Sequence, residues 1–89
     1  MSWNYRILAY PDGEDIYLEV SDVYYEDDKP ISHGKASVGG NSISDIEWTL
    51  SRMISCLSKP VLWGDGRFPQ EFEELPSQQQ KDEQQRLNN

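Results

Sequence analysis

Residues 42–60 read SISDIEWTLSRMISCLSKP, and this stretch carries the clearest structural signal in the chain. Ile43, Ile46, Leu50, Met53, Ile54 and Leu57 recur at intervals of three and four. That period lays one apolar stripe along an α-helix. Ser42 can cap the first turn with Asp45 three residues on, and Ser44 with Glu47 offers a second capping box, so either serine is a candidate start. Lys59-Pro60 ends the helix, because proline biases the residue before it away from helical torsions. An amphipathic helix needs a cover for its stripe, and the segments upstream are expected to supply a sheet.

Upstream, Trp3, Tyr5 and Ile7 alternate with Asn4 and Arg6, the period of a half-buried strand. The strand runs into Pro11-Asp12-Gly13, a hairpin connection in which proline presets one torsion and glycine tolerates positive φ. Ile16, Leu18 and Val20 are in phase on the next strand, whereas Val23 and Tyr25 fall out of phase by one residue, which predicts a β-bulge or bend near Ser21-Asp22. Glu26-Asp27-Asp28-Lys29-Pro30 forms the following turn, and a third strand over about Ile31 to Val38 precedes Gly39-Gly40. The expected fold is therefore α+β, an antiparallel three-stranded meander over residues 1–63 with one amphipathic helix packed on one face. Val61-Leu62-Trp63 either adds a strand or folds back over the helix end. Residues 64–75 read as a loop or extension folding back on the domain. Residues 76–89 read as a flexible Gln-rich polar tail without apolar periodicity.

Eighty-nine residues allow one small domain, and 8 Lys+Arg against 16 Asp+Glu give a net charge of -8. A general phosphate-backbone binder needs clustered cations, so direct nucleic-acid binding is not expected. No apolar run approaches the roughly 18 residues of a membrane span, and the opening MSWNYRILAY lacks a signal-peptide layout; the expected location is cytoplasmic, with no membrane partner. Cys56 is the single cysteine and offers neither an internal disulfide nor a structural zinc cluster.

Trp3-Asn4-Tyr5-Arg6, Glu19-Val20 with Val23-Tyr24-Tyr25, Lys29-Pro30, the capped helix and Lys59-Pro60-Val61-Leu62 together resemble a family of small uncharacterised bacterial and phage proteins that open W-N-Y-R and close K-P-V-L. The resemblance covers roughly residues 1–63 and implies no activity. Three strands followed by a helix introduced by Gly-Gly-Asn-Ser also look like a HicB-type antitoxin domain, a likeness of architecture alone.

His33 is the only histidine, between Ser32 and Gly34 on the third strand, and no nucleophile or orienting group is spaced to serve it; a structural or solvent-facing role is the simpler reading. Cys56 in the last helical turn sits at the end of the dipole that disfavours a thiolate, so it is expected to be an unreactive, partly buried thiol. Asp12, Glu14 and Asp15 cluster in one loop and Glu26, Asp27 and Asp28 in another, without the alternating oxygen ligands of a calcium loop. No metal ligands, cofactor or catalytic residues are assigned.

Eight of the sixteen acids fall between Asp12 and Asp28, which predicts a concentrated negative field able to attract a basic partner. Trp48 lies about 200° around the helix from Ile46 and faces away from the stripe. There it forms an anchor pair with Arg52 one turn later, unless Trp63, Phe68 or Phe72 folds back to cover it. Tyr24, with Tyr17 and Tyr25, adds an aromatic surface on the sheet.

The expected function is a small acidic non-enzymatic protein-binding module, antitoxin-like or phage-inhibitor-like, that occupies a basic surface of a partner. Inhibition of a nucleic-acid-binding protein by charge mimicry falls within this reading. A small enzyme or ligand-binding protein using His33 and the acidic loops is the alternative. The small core leaves a homodimer open.

Overall fold

Two tight hairpins built on acidic turns begin the fold. β1 (Ser2–Asp12) pairs with β2 (Asp15–Glu26) in unbroken antiparallel register from Ser2 opposite Tyr25 to Asp12 opposite Asp15. Gly13, in the two-residue connection between them, takes φ +63. β2 turns through Asp27 (φ 53) and Asp28 (φ 64) into β3 (Lys29–Lys35). Positive φ at both central residues is what a two-residue hairpin of matching twist requires, and aspartate is among the few side chains that tolerate it.

The computed structural model describes Met1–Glu73. After β3 the chain crosses through α1 (Ile43–Ser55) and a 3-10 turn (Cys56–Ser58) into β4 (Leu62–Trp63), which lies parallel beside β1. The fold is α+β, with a mixed four-stranded sheet in the order β3-β2-β1-β4. The three-stranded meander is thus extended by one short strand. Lys59 leaves the helix with extended torsions, and the Gly64 N–H donates to the Ala9 carbonyl at 2.8 Å just past the new pairing. Residues 70–72 then pair back on β4: the Trp63 N–H donates to the Gln70 carbonyl and the Phe72 N–H to the Val61 carbonyl, both at 2.8 Å. The expected tail at 76–89 lies outside the described residues.

Ser42 caps α1, its hydroxyl accepting from the Asp45 N–H at 3.2 Å, while the Asp45 carboxylate accepts from the Asn41 N–H at 3.0 Å. The first of the two candidate starts is the one used.

The bulge expected at Ser21-Asp22 is absent; the only irregularity of β2 falls between Tyr24 and Tyr25 in its pairing with β3. The phase change has another cause. By register, Ile16, Leu18 and Val20 share a sheet face with Trp3, Tyr5, Ile7 and Ala9, whereas Val23 and Tyr25 share the opposite face with Leu8 and Tyr10. That opposite face holds the core of Leu8, Val23 and Leu62, closed by Tyr10, Tyr25 and Phe68. β2 therefore directs apolar residues to one face in its first half and to the other in its second.

α1 meets the sheet along β1, on the face that carries Trp3. Thr49 and Cys56 are buried, and Ile46 and Met53 are half-buried. The sheet was expected to cover the whole stripe, and it does not: Ile43, Leu50, Ile54 and Leu57 stay 79%, 45%, 66% and 67% exposed. The small side chains of Thr49 and Cys56 are the ones turned inward, which leaves the larger apolar residues rotated outward.

Candidate binding surface

Arg52 is held between two tryptophans. On α1, Trp48 lies one turn before Arg52, and the guanidinium carbon sits 4.8 Å from the Trp48 ring centroid. The same carbon is 5.7 Å from the ring of Trp3, which β1 presents on the same side. Trp3 in turn meets Tyr5 edge-on, with centroids 5.1 Å apart and planes at 87°. Trp48 is 57% and Trp3 42% exposed, so the stack forms a surface rather than a core. Of the two readings of Trp48, the exposed one describes the structure. Trp63 instead meets Phe72 and the Arg67 guanidinium, and Phe68 meets His33.

Tyr24 stands directly opposite Trp3 in the β1–β2 register, and its hydroxyl donates to the Asp22 carboxylate at 3.5 Å; Tyr17 and Tyr25 lie on the other face, so the three tyrosines do not form the one aromatic surface expected of them. The Glu26-Asp27-Asp28 turn follows immediately, so Trp48, Arg52, Tyr24 and this turn gather at one end of the sheet. Asp12, Glu14 and Asp15 lie at the other end of β2, whose 12 residues span roughly 40 Å. That separation exceeds the ~8 Å screening length at physiological salt several-fold, so the two acidic turns act as separate fields. Among the described residues the one ion pair is Asp65–Arg67, which holds the Asp65 carboxyl below its ordinary range. Arg52 therefore has aromatic rather than carboxylate neighbours there.

His33 packs edge-on against Phe68 at 4.7 Å, on the sheet face opposite Trp3, and makes no side-chain hydrogen bond among the described residues. Cys56 is buried, and that burial pushes its thiol up despite the opposing charges of Lys59 and Arg6. Among the described residues no three His, Cys, Asp or Glu side chains could hold a metal ion, and no helix is long and apolar enough to cross a membrane.

The sequence itself points to Trp48, Arg52 and Tyr24, and gives Trp3 only as part of one face of a half-buried strand. Alternation places Trp3 on a face without telling whether that face is covered. Its membership in the stack follows from the β1–α1 contact, which no local pattern encodes. Compared with known protein families, with curated proteins and with solved structures, the chain matches none.

Proposed function

We propose that the chain is a small acidic protein-binding module that acts without catalysis, by occupying a basic surface on a partner. Its contact surface is the Trp3–Arg52–Trp48 stack with Tyr24, and the Glu26-Asp27-Asp28 turn beside it draws the partner in. The observation that carries this reading is the exposed stack at the same end of the sheet as that turn. Tryptophan, tyrosine and arginine are the residues in which interfaces concentrate their energy, and exposed charge governs encounter more than final affinity. A net charge of -8 favours basic partners, among them proteins that otherwise hold nucleic acid, which this chain would displace by charge mimicry as an antitoxin-like or phage-inhibitor-like protein.

The test uses the full chain as bait in lysate at low and high salt, with Trp48→Ala and Asp27→Asn/Asp28→Asn run alongside. Captured proteins should be basic and lost at high salt. With a purified partner, the double Asn variant should slow association and flatten its salt dependence, and Trp48→Ala should speed dissociation by at least tenfold. Equal capture by wild type and Trp48→Ala, or a captured set with no basic bias, would overturn the reading.

A further inference from the structure

We propose that the chain forms a two-fold homodimer in which α1 packs antiparallel against its own copy, with Leu50 on the symmetry axis. Three observations carry this.

The first is exposure. Ile43, Leu50 and Ile54 on one side of α1, and Leu57 in the 3-10 turn that follows it, are 45% to 79% exposed. They present on the order of 500 Å² of apolar surface, more than half of the roughly 800 Å² that each partner buries in a standard interface. That is as large as the largest apolar patch of a typical monomer, and patches of this size are often contact surfaces. Among residues 74–89 the large apolar side chains are Leu75 and Leu87.

The second is the symmetry of the stripe. Ile43 and Leu57 stand seven residues before and after Leu50, and Ile46 and Ile54 stand four before and after it. A two-fold axis through Leu50 that reverses the helix direction therefore sets Ile43 against Leu57 of the second copy, Ile46 against Ile54, and Leu50 against itself. Five of the six stripe residues then meet another apolar side chain, which is most of the self-complementarity that an isologous interface demands, while Met53, half-buried toward the sheet, falls opposite Glu47. Ile43 and Leu50 keep the seven-residue spacing of a helix–helix seam along α1, and Leu57 repeats it in sequence from the 3-10 turn.

The third is charge. Glu47 borders the stripe three residues before Leu50. In a parallel pair the two Glu47 carboxylates would stand side by side, whereas the antiparallel pair separates them by about 9 Å along the axis and opposes the helix dipoles favourably.

The interface is independent of the binding surface proposed above. Trp48 and Arg52 each lie two residues from Leu50, about 200° around the helix in opposite senses, and stay on its far side. The dimer is thus bivalent, with two Trp3–Arg52–Trp48 surfaces facing away from the seam.

The experiment is sedimentation of the full chain from about 1 to 200 µM, with Leu50→Lys, Leu50→Glu and their equimolar mixture. Wild type should sediment at twice 10.3 kDa over the upper part of that range. Each variant, carrying like charges on the axis, should sediment at 10.3 kDa with an unchanged circular dichroism spectrum. The mixture should return to the dimer mass, because an ammonium from one variant then faces a carboxylate from the other across the axis. As a second readout, Leu50→Cys should cross-link to a covalent dimer under mild oxidation, and Ser44→Cys should not. A wild type that stays monomeric at 200 µM overturns the proposal, as does a dimer that both Leu50 charge variants leave intact. So does a monomer that dimerises only when residues 74–89 are removed. Failure of the dimer with retained loss of partner capture in Trp48→Ala would separate this inference from the proposed function.

Discussion

The clamp of Arg52 between two tryptophans is expected to hold α1 on the sheet, and a double-mutant cycle measures it. At 5.7 Å from the Trp3 centroid and 4.8 Å from that of Trp48, the guanidinium lies within cation–π range of both rings. At sites this exposed each contact is worth about 0.5–1 kcal/mol. Arg52→Ala should therefore cost about 1–2 kcal/mol, with a smaller part lost from the packing of its methylene stem. Trp3→Ala costs more, because it also removes the edge contact with Tyr5. The diagnostic quantity is the coupling: the variant carrying both changes should be about 0.5–1 kcal/mol more stable than additivity predicts. With a urea m-value near ~1 kcal/mol/M for a domain of this size, that is a midpoint discrepancy of roughly 0.5–1 M. Unfolding followed by far-UV circular dichroism reads it free of the altered tryptophan signal. Coupling within about 0.3 kcal/mol of zero would refute the reasoning, since Arg52 would then not join helix to strand.

Replacing Asp28 (φ 64) by glycine should stabilise the fold by about 0.5–1 kcal/mol in a urea titration, while Gly13→Ala (φ +63) should destabilise it by about 1 kcal/mol or more. Burial raises both the Cys56 thiol and the Tyr10 phenol, the latter helped by Glu19. A raised value in the folded state means that the unfolded chain ionises first. Stability should thus be intact at neutral pH and fall as pH rises past the ordinary thiol and phenol values, and Cys56→Ala should flatten the first part of that decline in thermal melts. His33→Ala should leave partner capture unchanged with a small loss of melting temperature from the Phe68 contact; lost capture with intact folding would move the function toward His33.

What could be read in advance was local. The spacing of Ile43 to Ile54 defines a helix wherever its partner lies, and Gly13 and Asp27-Asp28 mark reversals through their own torsions, although Pro11 and Asp12, read with Gly13 as the connection, are the last paired residues of β1. The register of the first two hairpins follows from those turns. Less legible were features that depend on what the chain meets. β4 is two residues long and exists only because β1 offers it an edge. Phe68 belongs to a segment with no periodicity, yet it closes the core on Leu8 and Val23. The phase change within β2 looked like a kink, because period-two reasoning assumes that one face of a strand is buried along its whole length. In the candidate site the Trp48–Arg52 pair was visible as one helical turn, and Trp3 was not, since its neighbour on α1 is distant in sequence.

The same limit explains the helix stripe. An apolar periodicity states that one side of a helix is kept from water, and it is silent on whether the cover comes from the same chain. Here Thr49 and Cys56 face the sheet, and the fully buried apolar residues of the described chain are few: Tyr5, Leu8, Ala9, Val23, Cys56 and Leu62. A core this small leaves a domain of this size a narrow margin of stability, which a second subunit can widen. The near-palindromic spacing about Leu50 supports the proposed second subunit at the surface where cover is missing. A small core and an outward apolar stripe are thus two aspects of one arrangement, and in the proposed dimer α1 uses one side for its own copy and the other for the tryptophan–arginine stack.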